Sequence, residues 1–135
     1  MMPMNNSGTV THSITVEFED VDSFRIVHHP RFIDYLERAR VRFLDHHGVD
    51  MTRADPYPVL YDLEVRFKKP ARFRDQIEVS VFVESVDAFR LTFGYRVLRD
   101  AELLLKARTS LAFVDAASGR MAPLPQDYAV LASQN

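Results

Sequence analysis

A chain of 135 residues, 47% hydrophobic and 27% charged, has the size and balance of one globular domain with a modest core. Its formal net charge of -2 gives no general attraction to nucleic acid, and the lack of cysteine removes disulfides, thiolate nucleophiles and cysteine metal sites. No apolar run approaches the length of a membrane span, and the start, MMPMNNSGT, lacks the basic and apolar parts of a secretion signal; a cytoplasmic protein is expected.

Residues 1–11 carry the polar run Asn5, Asn6, Ser7, Gly8 and Thr9, and read as a flexible segment. Ile14, Val16 and Phe18 then alternate with Thr15, Glu17 and Glu19, which predicts a half-buried strand. An acidic loop follows, with Asp20, Val21, Asp22, Ser23, Phe24 and Arg25, and closes on the pair His28-His29. Pro30 suits the first turn of a helix, where its missing N–H costs nothing. Phe32, Leu36, Ala39 and Phe43 recur at helical spacing, so the helix runs from about residue 30 to 46 with one face buried, and Gly48 is placed to close it. Residues 49–58 carry Pro56 and Pro58 and read as a connection.

From Val59 the period changes to two. Val59, Tyr61, Leu63, Val65 and Phe67 are expected on one face of a strand. Three further strands carry Ile77 to Val83, Leu91 to Val97 and Leu103 to Phe113, joined by tight connections at Asp87-Ala88 and Asp100-Ala101. Pro123 and Pro125 lead an extended tail. One strand, one long helix and four strands give an α+β domain: a five-stranded antiparallel sheet curved around the helix, spanning residues 12–128, with 129–135 as a C-terminal tail. Phe82, Leu98, Leu104, Ala112 and Val114 fall out of phase on the second face, which one helix cannot cover, so a homo-oligomer is expected.

A carboxylate held just ahead of a helix N-terminus is a workable centre for attack on a carbonyl. The acid activates water or attacks directly, and the free amides receive the developing negative charge. Asp22 fits that role, although an Asx turn would use the same residue. Asp20, nearer the strand, is assigned to ordering the loop. The His28-His29 and His46-His47 pairs do not make a tetrahedral metal site at these spacings, and no metal is expected. The His29 backbone N–H, immediately before the proline, is a donor for a substrate oxygen. Lys68, Lys69, Arg72 and Arg74 form a basic run that suits either a carrier's phosphates or a solvated strand end.

These features together resemble the hotdog-fold acyl-CoA thioesterases of the 4-hydroxybenzoyl-CoA thioesterase-like group. Their first motif reads D-x-D-x-x-G-x-V before an aromatic or histidine pair and a long helix; here it is DVDSFRIV, then HHPRFIDYLERAR. RFKKPARFRDQIEV and GRMAPLP are similar to later segments of the group, so the resemblance covers roughly residues 12–128. It implies the hotdog fold, a dimer or tetramer with the site at a subunit interface, Asp22 as the catalytic carboxylate and the His29 N–H as the group that polarises the thioester carbonyl. Arg25 stands where the group has glycine. Arginine there is expected to bend the loop differently, narrow the pocket or offer a cation to substrate.

The expected reaction is therefore hydrolysis of an acyl thioester carried on coenzyme A or acyl carrier protein, with no cofactor. Phe24, Tyr57, Val59, Tyr61 and Leu63 are the expected acyl-pocket residues, and Lys69 and Arg72 the carrier contacts. The alternatives are hydration or dehydration of an acyl thioester, which needs an acid–base group over the α and β carbons, and acyl or carrier binding without turnover.

Overall fold

The computed structural model describes residues 8–134; the earlier part of the expected flexible segment, and Asn135, lie outside them. Strand β1 (Val10–Thr15) leads through a 3₁₀ turn (Phe18–Asp20) to helix α1 (His29–His46). Four long strands follow: β2 (Tyr57–Phe67), β3 (Gln76–Val86), β4 (Arg90–Arg99) and β5 (Glu102–Val114). The two-residue β6 (Met121–Ala122) pairs with β5, and a short helix α2 (Gln126–Ala129) and a last 3₁₀ turn (Val130–Gln134) close the chain. The sheet is antiparallel throughout, in the order β1-β3-β4-β5-β2. This is the expected α+β hotdog architecture.

Helix α1 forms where the 3.6-residue pattern begins, and it buries Phe32, Tyr35, Leu36, Ala39, Phe43 and Leu44. Each large side chain of that stripe contributes about 1.5–3 kcal/mol by leaving water. The helix ends in a Schellman motif. The Val49 N–H donates to the Leu44 carbonyl at 2.9 Å and the Gly48 N–H to the Asp45 carbonyl at 3.1 Å, with Gly48 at φ +72°. Opposite the helix lie Ile77, Val79, Val81, Leu91, Phe93, Tyr95, Val97 and Leu105, all at most 1% exposed.

Three details depart from the sequence reading. Phe18 does not continue the first strand: the chain turns at Glu17, and Phe18 is 73% exposed. In β2 the pairing with β5 slips between Leu60 and Asp62, so Tyr61 is an extra residue that resets the alternation. Leu63, Val65 and Phe67 therefore share the helix-facing side with Leu60, while Val59 and Tyr57 face the other way. Leu104 is likewise an extra residue where the β4–β5 register shifts; it is fully buried, and its carbonyl accepts the N–H groups of Lys68 and Lys69. Leu104 and Ala112 are buried within one chain, whereas Tyr57, Val59, Leu60, Tyr61, Leu63 and Phe67 of β2 are exposed.

The Asp100-Ala101 connection has φ +50° and +67°, as the two-residue turn that matches strand twist requires. The C-terminal turns are part of the core, with Tyr128 and Leu131 at 3% and 1% exposure. Among the described residues no helix is long and apolar enough to cross a membrane.

Candidate functional site

The loop from Val21 to Val27 is a small hairpin closed by a bridge between those two valines. The Asp22 N–H donates to the Ile26 carbonyl at 3.0 Å, and the Arg25 N–H to the Asp22 carbonyl at 2.9 Å. Arg25 sits at φ +66°, the left-handed position that a three-residue hairpin loop normally gives to glycine. Arginine here adopts a backbone angle that glycine takes without strain, and the loop closes. Its side chain lies at the surface, outside the cleft described below.

The two acids of the loop do different things. Asp20 is 5% exposed. Its Oδ2 accepts the Tyr35 hydroxyl at 2.7 Å and the Glu17 N–H at 3.0 Å, and Arg31 Nε lies 3.8 Å from Oδ1. Burial first, and then the bond to Asp20, push the Tyr35 phenol well above its ordinary range, so it stays a donor at every working pH. The Asp20 carbonyl also accepts the His28 N–H at 2.9 Å, which ties the loop to the start of α1.

Asp22, by contrast, is partly open, with its side chain 30% exposed. Oδ1 accepts the Phe24 N–H at 2.8 Å, an Asx turn. The other oxygen, Oδ2, is 4.0 Å from His28 Nδ1, beyond hydrogen-bond reach, and accepts no hydrogen bond among the described residues. The turn and the reactive role are therefore compatible, because each uses a different oxygen.

At the helix start, His28 is the N-cap and supplies no side-chain cap. The Arg31 N–H returns to the His28 carbonyl at 2.8 Å, and Pro30 has no N–H. The His29 N–H has no acceptor among the described residues and lies at the positive end of an 18-residue helix. The His29 ring stacks on Phe67 at 4.2 Å, which fixes this first turn against the end of β2.

Beside it opens a cleft of about 240 Å³ lined by Ile26, Val27, His29, Phe32, Phe67, Lys68, Lys69 and Pro70. Of the residues expected in the site, only His29 and Lys69 line it. Phe24 is 80% exposed, and Leu63 is on the helix-facing side of β2, whereas Tyr57 and Val59 are on the opposite side. Lys69 is bonded to Glu102 at 2.6 Å, so its charge is already compensated; Arg72 forms no ion pair among the described residues. Ile26 and Phe67 escaped the sequence reading as cleft residues. Phe67 had a signal, the last inward position of β2 beside the helix start, but Ile26 had none. No group of three or more His, Asp or Glu among the described residues is placed to hold a metal ion.

Among the described residues, the His29 amide has no acceptor and borders an apolar cleft between the helix start and the end of β2, while Asp22 lies in the hairpin just before that helix and outside the cleft lining. The sequence matches the thioesterase-like superfamily over residues 16–132. The chain belongs to that superfamily. Among curated relatives, an Aquifex aeolicus protein whose name calls it an esterase only provisionally is 30% identical over 115 residues, covering 83% of this chain and 88% of the relative. The acyl-CoA thioester hydrolase YbgC of Escherichia coli is 26% identical over 117 residues, covering 84% and 87%. The crystal structure of a 1,4-dihydroxy-2-naphthoyl-CoA thioesterase from Synechocystis superposes with a TM-score of 0.87 over 92% of this chain and 95% of that one; at 23% identity it speaks for the fold. The thioesterase-like assignment agrees with the hotdog sheet and its long helix.

Proposed function

We propose that this protein hydrolyses an acyl thioester carried on coenzyme A or acyl carrier protein. The observation that carries the reading is that Asp22, whose Oδ2 accepts no hydrogen bond among the described residues, sits in the hairpin leading into α1, and that the His29 N–H opening that helix has no acceptor among the described residues. The thioester carbonyl oxygen accepts the His29 N–H, and the helix N-terminus stabilises the negative charge that develops there. Asp22 Oδ2 takes a proton from water as it attacks the carbonyl carbon, or attacks the carbon itself to give a mixed anhydride that water then opens. Either route breaks the C–S bond, sends the proton to the leaving thiolate, and gives a carboxylic acid and a thiol.

The acyl group enters the cleft against Ile26, Phe32 and Phe67. Arg72, exposed and without an ion-pair partner among the described residues, is the better candidate of the two expected carrier contacts. A cytoplasmic location completes the reading, supported by a cysteine-free composition that suits a reducing compartment.

The working unit in this proposal is a dimer or a tetramer built from dimers. Among the described residues β2 pairs only with β5, leaving its other edge open, and ten of its eleven residues are exposed, among them Leu60 at 40%, Tyr61 at 51%, Leu63 at 39% and Phe67 at 43%. A long apolar edge strand is a template for another strand. Pairing two copies of β2 joins the sheets and covers the apolar shelf beside the cleft. The decisive assay is thiol release from aromatic, straight-chain and branched acyl thioesters on both carriers. Binding of these thioesters with no hydrolysis of any would replace the enzyme reading with the acyl-binding one.

A further inference from the structure

On the sheet face turned away from α1 there is a second cavity, a groove of about 410 Å³ floored by Gly94 and Phe82. A Cβ on Gly94 would fall 2.5 Å from the Phe82 ring, so any other residue there has to displace that ring. The groove is lined by five basic side chains and two carboxylates, on a chain whose overall charge is -2. Both carboxylates are already engaged by one of the five: Arg108 reaches Glu84 at 3.0 Å and Glu64 at 3.6 Å. Arg66, Lys68, Arg96 and Lys106 form no ion pair among the described residues.

The register makes this more than a basic surface. Arg66 lies directly opposite Lys106 on the neighbouring strand, and Lys106 lies directly opposite Arg96 on the next. Three cations thus stand in one row across β2, β5 and β4, and like charges directly opposite one another destabilise a sheet. With strands about 4.8 Å apart, the row spans about 10 Å, too long for one phosphate and suited to two. A second copy of this face is a poor occupant, since it would bring the same excess of positive charge.

We propose that the groove binds a small polyanion carrying at least two phosphate groups. The nucleotide end of a coenzyme A thioester and a free nucleoside diphosphate share this chemistry. Lys68 borders both this groove and the acyl cleft, so a bound thioester has a route from one to the other around the end of β2. The binding itself does not depend on the enzyme reading.

The test titrates the full chain with pyrophosphate, ADP and adenosine 3′,5′-bisphosphate, by calorimetry and thermal unfolding. The expected result is saturable binding that weakens with salt, with Tm raised by about 10 °C at a hundredfold excess over Kd. Arg96→Gln and Lys106→Gln should each weaken binding roughly tenfold or more. Each should also keep or raise the Tm of the free protein, since the row then loses a repulsion; a purely structural row would lower it. If adenosine 3′,5′-bisphosphate competes with acyl-CoA, and Lys106→Gln raises KM for acyl-CoA but not for an acyl-pantetheine, the ligand is the substrate's own nucleotide. If a probe binds without competing, the ligand is a separate nucleotide. Either result supports the site. Absence of saturable binding by all three probes overturns it, as does wild-type affinity in both variants. A complex with an acidic carrier protein in place of small-anion binding overturns it too. Loss of the enzyme reading would appear separately, as failure to hydrolyse the acyl-pantetheine as well.

Discussion

Asp22→Asn is the substitution on which the proposed chemistry turns. Asparagine keeps Oδ1, so the 2.8 Å bond from the Phe24 N–H and the Asx turn survive. Only Oδ2, which accepts no hydrogen bond among the described residues, changes, to an amide nitrogen that can neither take a proton from water nor attack a carbonyl. At a site with 30% side-chain exposure, stability should move by no more than about 0.5 kcal/mol. Losing a positioned base should lower kcat by roughly two to four orders of magnitude, with KM little changed. Asp20→Ala supplies the contrast. It removes the acceptor of the buried Tyr35 hydroxyl and of the Glu17 N–H, and should destabilise by about 2–4 kcal/mol, or roughly 7–14 °C in Tm. Thiol release under saturating substrate, alongside thermal unfolding of both variants, separates a reactive acid from a supporting one. Wild-type turnover in Asp22→Asn refutes the mechanism; equal losses of stability in the two variants refute the division of roles.

Other outcomes follow from the same geometry. Arg25→Gly should raise stability by about 0.5–1 kcal/mol, because the left-handed backbone costs arginine about 1–2 kcal/mol and glycine returns part of that as unfolded-state entropy; a lower Tm would show that the arginine side chain holds the loop. The wild-type chain should sediment as a dimer or tetramer at micromolar concentration, and Leu63→Lys, which places a charge on the open β2 shelf, should weaken association at least about tenfold; a wild-type monomer would sink the β2 pairing. His12 has its pKa held below 6.5 by burial first, then by Arg42 and Arg38. The unfolded chain therefore binds more protons than the folded one as pH falls through 6.5, so this stabilisation is complete above that pH and declines below it. His12→Gln should flatten the dependence of Tm on pH between about pH 7 and 5; an unchanged slope would discount the histidine.

The elements and their order were legible in the chain because their causes are local. Helix α1 has its apolar stripe, a proline near its start and Gly48 past its end, and the strands have their alternation; neither needs a distant partner to be read. The acidic loop ahead of the helix was legible for the same reason, and so was the family resemblance that rests on it. Residue-level roles in the cleft were less so. Alternation places side chains only while the register is unbroken, and the bulge at Tyr61 moved Val59 and Tyr57 to the other side of the sheet from Leu63.

What only the folded chain decided is which polar groups are already satisfied. Two aspartates of identical chemistry, two residues apart, differ because Tyr35 and the Glu17 N–H converge on Asp20, while Asp22 keeps one oxygen open. Lys69 and Lys106 look alike in a sequence, yet one is neutralised by Glu102 from the β4–β5 hairpin and the other stands between two more cations. Composition and spacing determine which groups a chain carries and which elements it forms. Charge compensation and hydrogen-bond satisfaction depend on neighbours far apart in sequence, and those are set only when the strands pair.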